Sequence, residues 1–172
     1  MQALVILGGV AMEFEKRLRD RDRWTIGDEC SVSKVLDLLS TKTAFLVIRE
    51  CFYGTTRFED FIDRIGCSAP AASRALKQLE SAQIITRVRY QDPGKRTRDE
   101  YNLTPAGEEL LPVFLSLMQW GDAHLQKGKG PLAFVDADTG RKVGVCVTAD
   151  TGRSPTRSSD IQIRVNARSE AR

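Results

Sequence analysis

Two groups of side chains in this chain could do chemistry, and both are cationic. The first lies in SAPAASRALKQLESAQII, Ser68 to Ile85. Ala72, Leu76 and Leu79 recur at spacings of four and three, so they share one face of a helix. Ser73, Arg74, Lys77, Gln78 and Ser81 fall on the opposite face, which carries two cations and no carboxylate. Ser68 supplies an N-cap hydroxyl, and Pro70 and Ala71 add little bulk to the first turn. Such a face suits a helix lying in the major groove of a duplex, where small polar groups meet base edges and cations meet phosphate. The same composition also describes an ordinary solvated helix face, so the neighbouring elements must decide. The second group is Lys95, Arg96 and Arg98, beside the turn signal Pro93-Gly94. Cations at a hairpin tip can touch phosphate or reach into a minor groove, with an affinity that falls as salt rises.

Other chemistries find little support. There is one histidine, His124, and the four cysteines, Cys30, Cys51, Cys67 and Cys146, are scattered with no CxxC spacing. A multi-histidine active site, a metal centre and a disulfide framework are therefore not expected. No GxSxG, P-loop or glycine-rich dinucleotide motif occurs, and Gly8-Gly9 lacks a third glycine. Glu59, Asp60 and Asp63 read as a solvated helix surface with arginines nearby. No enzyme activity and no cofactor are expected.

The elements that would carry the two cationic groups can be read in order. The chain has 172 residues, 41% of them hydrophobic and 28% charged, which suits one globular domain with appendages. Its net charge of +3 is too mild to establish a nucleic-acid partner, so any basic footprint is local. Leu4 to Met12 is too short to span a bilayer and lacks the basic start and cleavage site of a signal peptide, so a cytoplasmic protein with no membrane partner is expected. Met12, followed by EFEKRL, is an alternative initiator. Residues 1–29 read as an arm, either helical and anchored by Trp24 or solvated.

Val35, Leu36, Leu38 and Leu39 mark a first helix, and Phe45, Leu46, Ile48 and Phe52 a second that stops at Gly54. Phe58, Phe61, Ile62 and Ile65 mark a third, and Gly66 turns it into the Ser68–Ile85 helix. Two short helices joined at glycine, the second with a basic polar face, make a helix-turn-helix. TRVRY, Thr86 to Tyr90, alternates like a strand, and the return through Glu100 to Leu103 completes a hairpin placed as a wing. Thr104-Pro105 starts a long helix through Leu125, with a kink expected at Pro112. That helix is apolar on more than one face. Its surplus, drawn from Leu110, Val113, Phe114, Leu117 and Trp120, is read as the interface of a two-fold homodimer. From Gln126 the chain changes character. Leu132 to Val135 and Lys142 to Val147 alternate around Asp138-Thr139-Gly140, Ile161 to Val165 is a third candidate strand, and the remaining tail is polar.

With these residues laid out, Cys30 to Leu125 resembles the HxlR family of bacterial winged-helix regulators, relatives of MarR-type proteins. The resemblance rests on CSVSKVLDLL (Cys30–Leu39), IRE (Ile48–Glu50), RFEDF (Arg57–Phe61), the S…L..LE frame of Ser68 to Glu80, YNLTPAGEEL (Tyr101–Leu110) and PVFLSLMQWGDAHL (Pro112–Leu125). It implies a homodimer that binds an operator with inverted half-sites and represses, or less often activates, neighbouring genes. The sequence departs from the family at Thr43, where a tryptophan is usual, at Ala75, where an arginine is frequent, and at Gln83, where a glycine is usual. Cys30 matches an upstream cysteine that senses oxidants or electrophiles in several members. A thiol near a helix start is helped toward the reactive thiolate, although a free cysteine is more often a small buried hydrophobe.

The resulting expectation is a mainly α (α+β) protein with an arm (1–29), a winged helix-turn-helix domain with a dimer helix (30–125) and a β-rich extension (126–172). Its partner is double-stranded DNA. Ser68, Pro70, Ala71, Ser73, Arg74 and Lys77 face the major groove, Arg57 approaches phosphate, and Lys95, Arg96 and Arg98 act from the wing. A small-molecule or oxidant effector is compatible with this reading. Two rivals stand beside it: a winged-helix module that binds protein without DNA, and a ligand sensor with an apolar pocket between the Leu110–Leu125 helix and the winged domain.

Overall fold

The computed structural model describes residues 15, 16, 19, 20, 22, 27–91, 97–148 and 157–165. The expected anchor Trp24 and the wing-tip cations Lys95 and Arg96 lie outside the described residues. The chain divides into two compact units, Met1–Asp37 and Leu38–Arg172. The first carries a short 3-10 turn, Gly27–Glu29, followed by most of helix α1, Ser31–Leu38, which buries no residue.

The second unit is built on α2 (Lys42–Phe52), α3 (Phe58–Ile65) and α4 (Ala69–Ser81). Each begins or ends where its residue chemistry dictates. Thr41 caps α2 by accepting from the Ala44 N–H at 3.1 Å, and Ser68 caps α4 by accepting from the Ala71 N–H at 3.4 Å. Gly66 takes the left-handed conformation, φ 68°, that ends α3 and turns the chain into α4. The three helices share one core of Ala44, Val47, Ile48, Phe61, Ala75, Leu76 and Leu79, closed by Ile84 and Ile85. The helix expected over Ser68 to Ile85 stops at Ser81. The chain there passes through Gln83 at φ 57°, the position where glycine is usual in the resembled family.

Strands β1 (Ile85–Tyr90) and β2 (Arg98–Leu103) then pair antiparallel, from Ile85 opposite Leu103 to Tyr90 opposite Arg98. The Tyr101 N–H donates to the Thr56 carbonyl at 2.8 Å, and Arg57 bridges Glu100, so the entry to α3 adds a third rung to the hairpin base.

The long helix expected after Thr104 is two helices, α5 (Pro105–Glu108) and α6 (Leu111–His124). Proline has no N–H to return to a carbonyl four residues back, so Pro112 interrupts the ladder rather than kinking one rod. The Leu110 N–H bonds to Gly107 instead, at 3.1 Å. Gly107 cannot carry a side chain, because a Cβ there would lie 2.2 Å from the Ile84 carbonyl oxygen.

The extension departs furthest from expectation. Strand β3 (Leu132–Asp136) pairs antiparallel with β4 (Ile161–Val165), not with the nearer Lys142–Val147. That segment meets β3 only around Lys142 and Val143, through the Val135–Lys142 bridge and a Val143 N–H to Phe134 carbonyl bond of 2.9 Å. Farther along, Val145 is captured by α6. Its N–H donates to Gln119 Oε1 at 2.5 Å, and its carbonyl accepts from Gln119 Nε2 at 3.1 Å. The expected turn is present, with Asp136 Oδ1 accepting from the Thr139 N–H (2.7 Å) and hydroxyl (2.5 Å). These bonds to the ionised carboxylate, the hydroxyl's first, hold the Asp136 pKa below its ordinary value.

Phe114 is the hub of this half. It stacks on Phe52 at 5.5 Å between ring centres and meets Tyr53 and Phe134 edge-on, each at 6.0 Å. At 3% exposure it belongs to the chain's own core and not to an intersubunit surface. Phe114→Ala is expected to cost about 3–5 kcal/mol of unfolding free energy. An unchanged urea midpoint would contradict the central place given to this ring.

Candidate nucleic-acid interface

The core dictates which side of α4 faces out. Ala72, Ala75, Leu76 and Leu79 are buried, so Arg74 and Lys77 are exposed and Ser73 is half-buried at their margin. Pro70 and Ser68 are exposed in the first turn, and Ala71 is half-buried. The residues expected in a groove therefore share one accessible surface. No described carboxylate forms an ion pair with Arg74 or Lys77 within 4.0 Å. Gln78 is the exception to the expected polar face. It turns back to donate to the Leu38 carbonyl at 2.8 Å and to the Ser40 hydroxyl at 3.4 Å. A glutamine one position from a cationic stripe gives no sequence signal of this inward bond.

The wing adds Arg98, exposed at the end of β2 beside the tip. Arg57, expected near phosphate, is exposed and is also engaged within the chain. Its guanidinium lies 5.0 Å from the centre of the Tyr90 ring, and Nε is 3.4 Å from Glu100 Oε1. Arg87, which sequence reasoning missed, completes the hairpin base. Arg87 donates from Nε to Glu80 Oε1 at 3.1 Å and approaches Asp99 at 3.6 Å. The Glu80 carboxylate beside it raises the pKa of Arg87. The alternation of TRVRY places Arg87 on a strand, but the spacing alone cannot show that it reaches back to α4.

Beneath the surface, Glu50 is buried and satisfied by Arg49 at 2.6 Å and by the Thr55 hydroxyl at 3.2 Å. Its bond from Thr55, with the Thr55 N–H to Glu50 carbonyl bond of 2.9 Å, ties the α2–α3 connection to α2. The adjacent Cys51 thiol is pushed up to about 12, by burial first and then by the Glu50 charge, so it stays protonated and unreactive near neutral pH. Cys67 is half-buried and Cys146 is exposed. Cys30 is half-buried, and its carbonyl accepts from the Lys34 N–H at 3.0 Å, which places it at the N-cap of α1. Among the described residues no cluster of three histidine, cysteine or acidic side chains could hold a metal. No helix among them is long and apolar enough to cross a membrane.

The expected dimer residues separate into two sets. Phe114 is buried and Leu110 packs against the winged core. Val113, Leu117 and Trp120 are exposed by 42%, 54% and 57%, and their spacing of four and three makes one outward stripe on α6. The apolar pocket that the ligand-sensor rival requires between this helix and the winged domain is small among the described residues. Phe52, Tyr53, Leu111 and Phe114 leave only about 30 Å³ there, room for a water molecule. A larger cleft, about 310 Å³, runs along α6 from Leu115 to Ala123 against the extension, and Phe134 lines both spaces.

A helix-turn-helix whose second helix is outward and cationic, followed directly by a two-stranded hairpin, defines a winged helix-turn-helix protein. The chain belongs to the HxlR-like helix-turn-helix family, whose model matches residues 38–129. An uncharacterized HTH-type transcriptional regulator of Mycobacterium tuberculosis is 37% identical over 102 residues, 59% of this chain. The chain spans 63% of the length of that relative. Among solved structures, PA1607 superposes with a TM-score of 0.64 at 24% identity, covering 81% of this chain and 96% of its own, which is a likeness of fold. The redox regulator HypR in its oxidized form matches with a TM-score of 0.50 at 26% identity, covering 55% of this chain and 97% of its own.

Proposed function

We propose that this protein is a transcriptional regulator that binds double-stranded DNA as a homodimer and represses by occupying an inverted-repeat operator. The observation that carries the reading is the outward face of α4. Arg74 and Lys77 stand exposed with no described carboxylate paired to them, on a helix whose opposite face is fixed in the core. A bare cationic face on a rigid helix is costly to no one in solution and gains most when a polyanion releases its counterions. Family membership and the M. tuberculosis relative, named as a transcriptional regulator, support the same reading.

In this reading Ser68, Ser73, Arg74 and Lys77 enter the major groove, with Pro70 and Ala71 allowing close approach. Arg98, Lys95 and Arg96 act from the wing. The Val113–Leu117–Trp120 stripe joins two copies so that their α4 helices fall about 34 Å apart, one turn of the duplex. Cys30 carries an oxidant response: it sits half-buried at the N-cap of α1, and the fold is shared with a redox regulator.

Two results test this. The double variant Arg74→Ala, Lys77→Ala is expected to lose at least about 100-fold in affinity for DNA from its own upstream region, from a bidentate base contact and a phosphate contact together. Unchanged anisotropy titrations would refute the assignment. Treatment with diamide is expected to weaken binding by the native protein but not by Cys30→Ser. An equal response from both would remove Cys30 from the mechanism.

A further inference from the structure

A two-stranded hairpin has little stability of its own, so the direction of this wing depends on what grips its base. Two arginines do so, from two sides. Arg87 on β1 reaches Glu80 in the last turn of α4 at 3.1 Å and Asp99 on β2 at 3.6 Å, so one guanidinium joins the reading helix to both strands. Arg57, at the N-cap of α3, reaches Glu100 on β2 at 3.4 Å and lies over the Tyr90 ring of β1 at 5.0 Å. A second guanidinium thus joins the other helix of the motif to the same two strands.

These groups are partly exposed, with side-chain exposures of 29% to 47%. Pairs of that kind add little to folding free energy, so stability is a weak reason for them. Geometry is a stronger one. Both contacts cross between elements, and together they fix a hairpin against two helices. They also set two guanidinium charges against Glu80, Asp99 and Glu100, so an approaching phosphate backbone meets one net negative charge there instead of three.

We propose that Arg87 with Glu80 and Asp99, and Arg57 with Glu100 and Tyr90, form a two-sided clamp that sets the angle between wing and α4. These are positioning residues for DNA binding, not phosphate ligands. The proposal rests on the DNA-binding reading above, and its test separates the two. Losing either arginine would weaken DNA binding on any account, so the informative change is on the acidic side.

The variant is Glu80→Gln with Glu100→Gln, made in the full-length chain. If charge alone matters, removing two negative charges beside a polyanion strengthens DNA binding. The clamp predicts the opposite sign, a loss of about fivefold at fixed salt, with an unchanged denaturation midpoint. It also predicts faster amide hydrogen exchange across 87–90 and 98–101 in the absence of DNA. Tighter or unchanged DNA binding overturns the clamp, as does unchanged exchange. Should the native protein bind no DNA, the function proposed above fails, while the exchange measurement still decides whether the clamp exists.

Discussion

The structure depends on the packing of one face of α4 against α2 and α3. A 13-residue helix is marginal alone in water, and this one contains a proline and three serines or alanines for each large apolar side chain. Burial of Ala72, Ala75, Leu76 and Leu79 supplies what propensity does not. The small residues matter as much as the leucines, because Ala72 and Ala75 let the helix approach the core closely. Once that face is committed, the helix cannot rotate, and Arg74 and Lys77 have no choice but to point outward. Gln78 enforces the same orientation through its bond to the Leu38 carbonyl.

The second half of the unit applies the same logic to α6. This helix is apolar nearly all round, so it needs two covers. One cover is internal. Phe52 comes from the last turn of α2, Tyr53 from its C-cap and Phe134 from the extension, all meeting at Phe114. Gln119 fastens the Val145 backbone alongside and satisfies both its N–H and its carbonyl. The opposite stripe, Val113, Leu117 and Trp120, is left in solvent within a single chain. In the proposed homodimer a second copy covers this row.

The sequence made the winged core legible because every element there has a strong local signal. Periodic apolar residues mark the helices, Gly54 and Gly66 end two of them, and Ser68 and Thr104 begin two others. The remainder turned on interactions far apart in the chain. Pairing of β3 with β4 joins Phe134 to Ile163 across a long loop, and no local pattern distinguishes that partner from Val143 or Val145. Which stripe of α6 is internal is equally invisible, since Phe114 and Leu117 are both apolar and only the tertiary fold chooses. The inward turns of Gln78 and Gln119, and the reach of Arg87 back to Glu80, belong to the same class. Each is a polar side chain satisfied by a distant partner.

The proposed mode of DNA binding requires two copies of the chain, each presenting one α4, joined through the outer stripe of α6. Sedimentation equilibrium on the native protein and on Trp120→Glu measures this most directly. The expected result is twice the mass of the 172-residue chain for the native protein and a single, folded chain for the variant. A native protein that stays a single chain at concentrations where it occupies DNA would contradict the account.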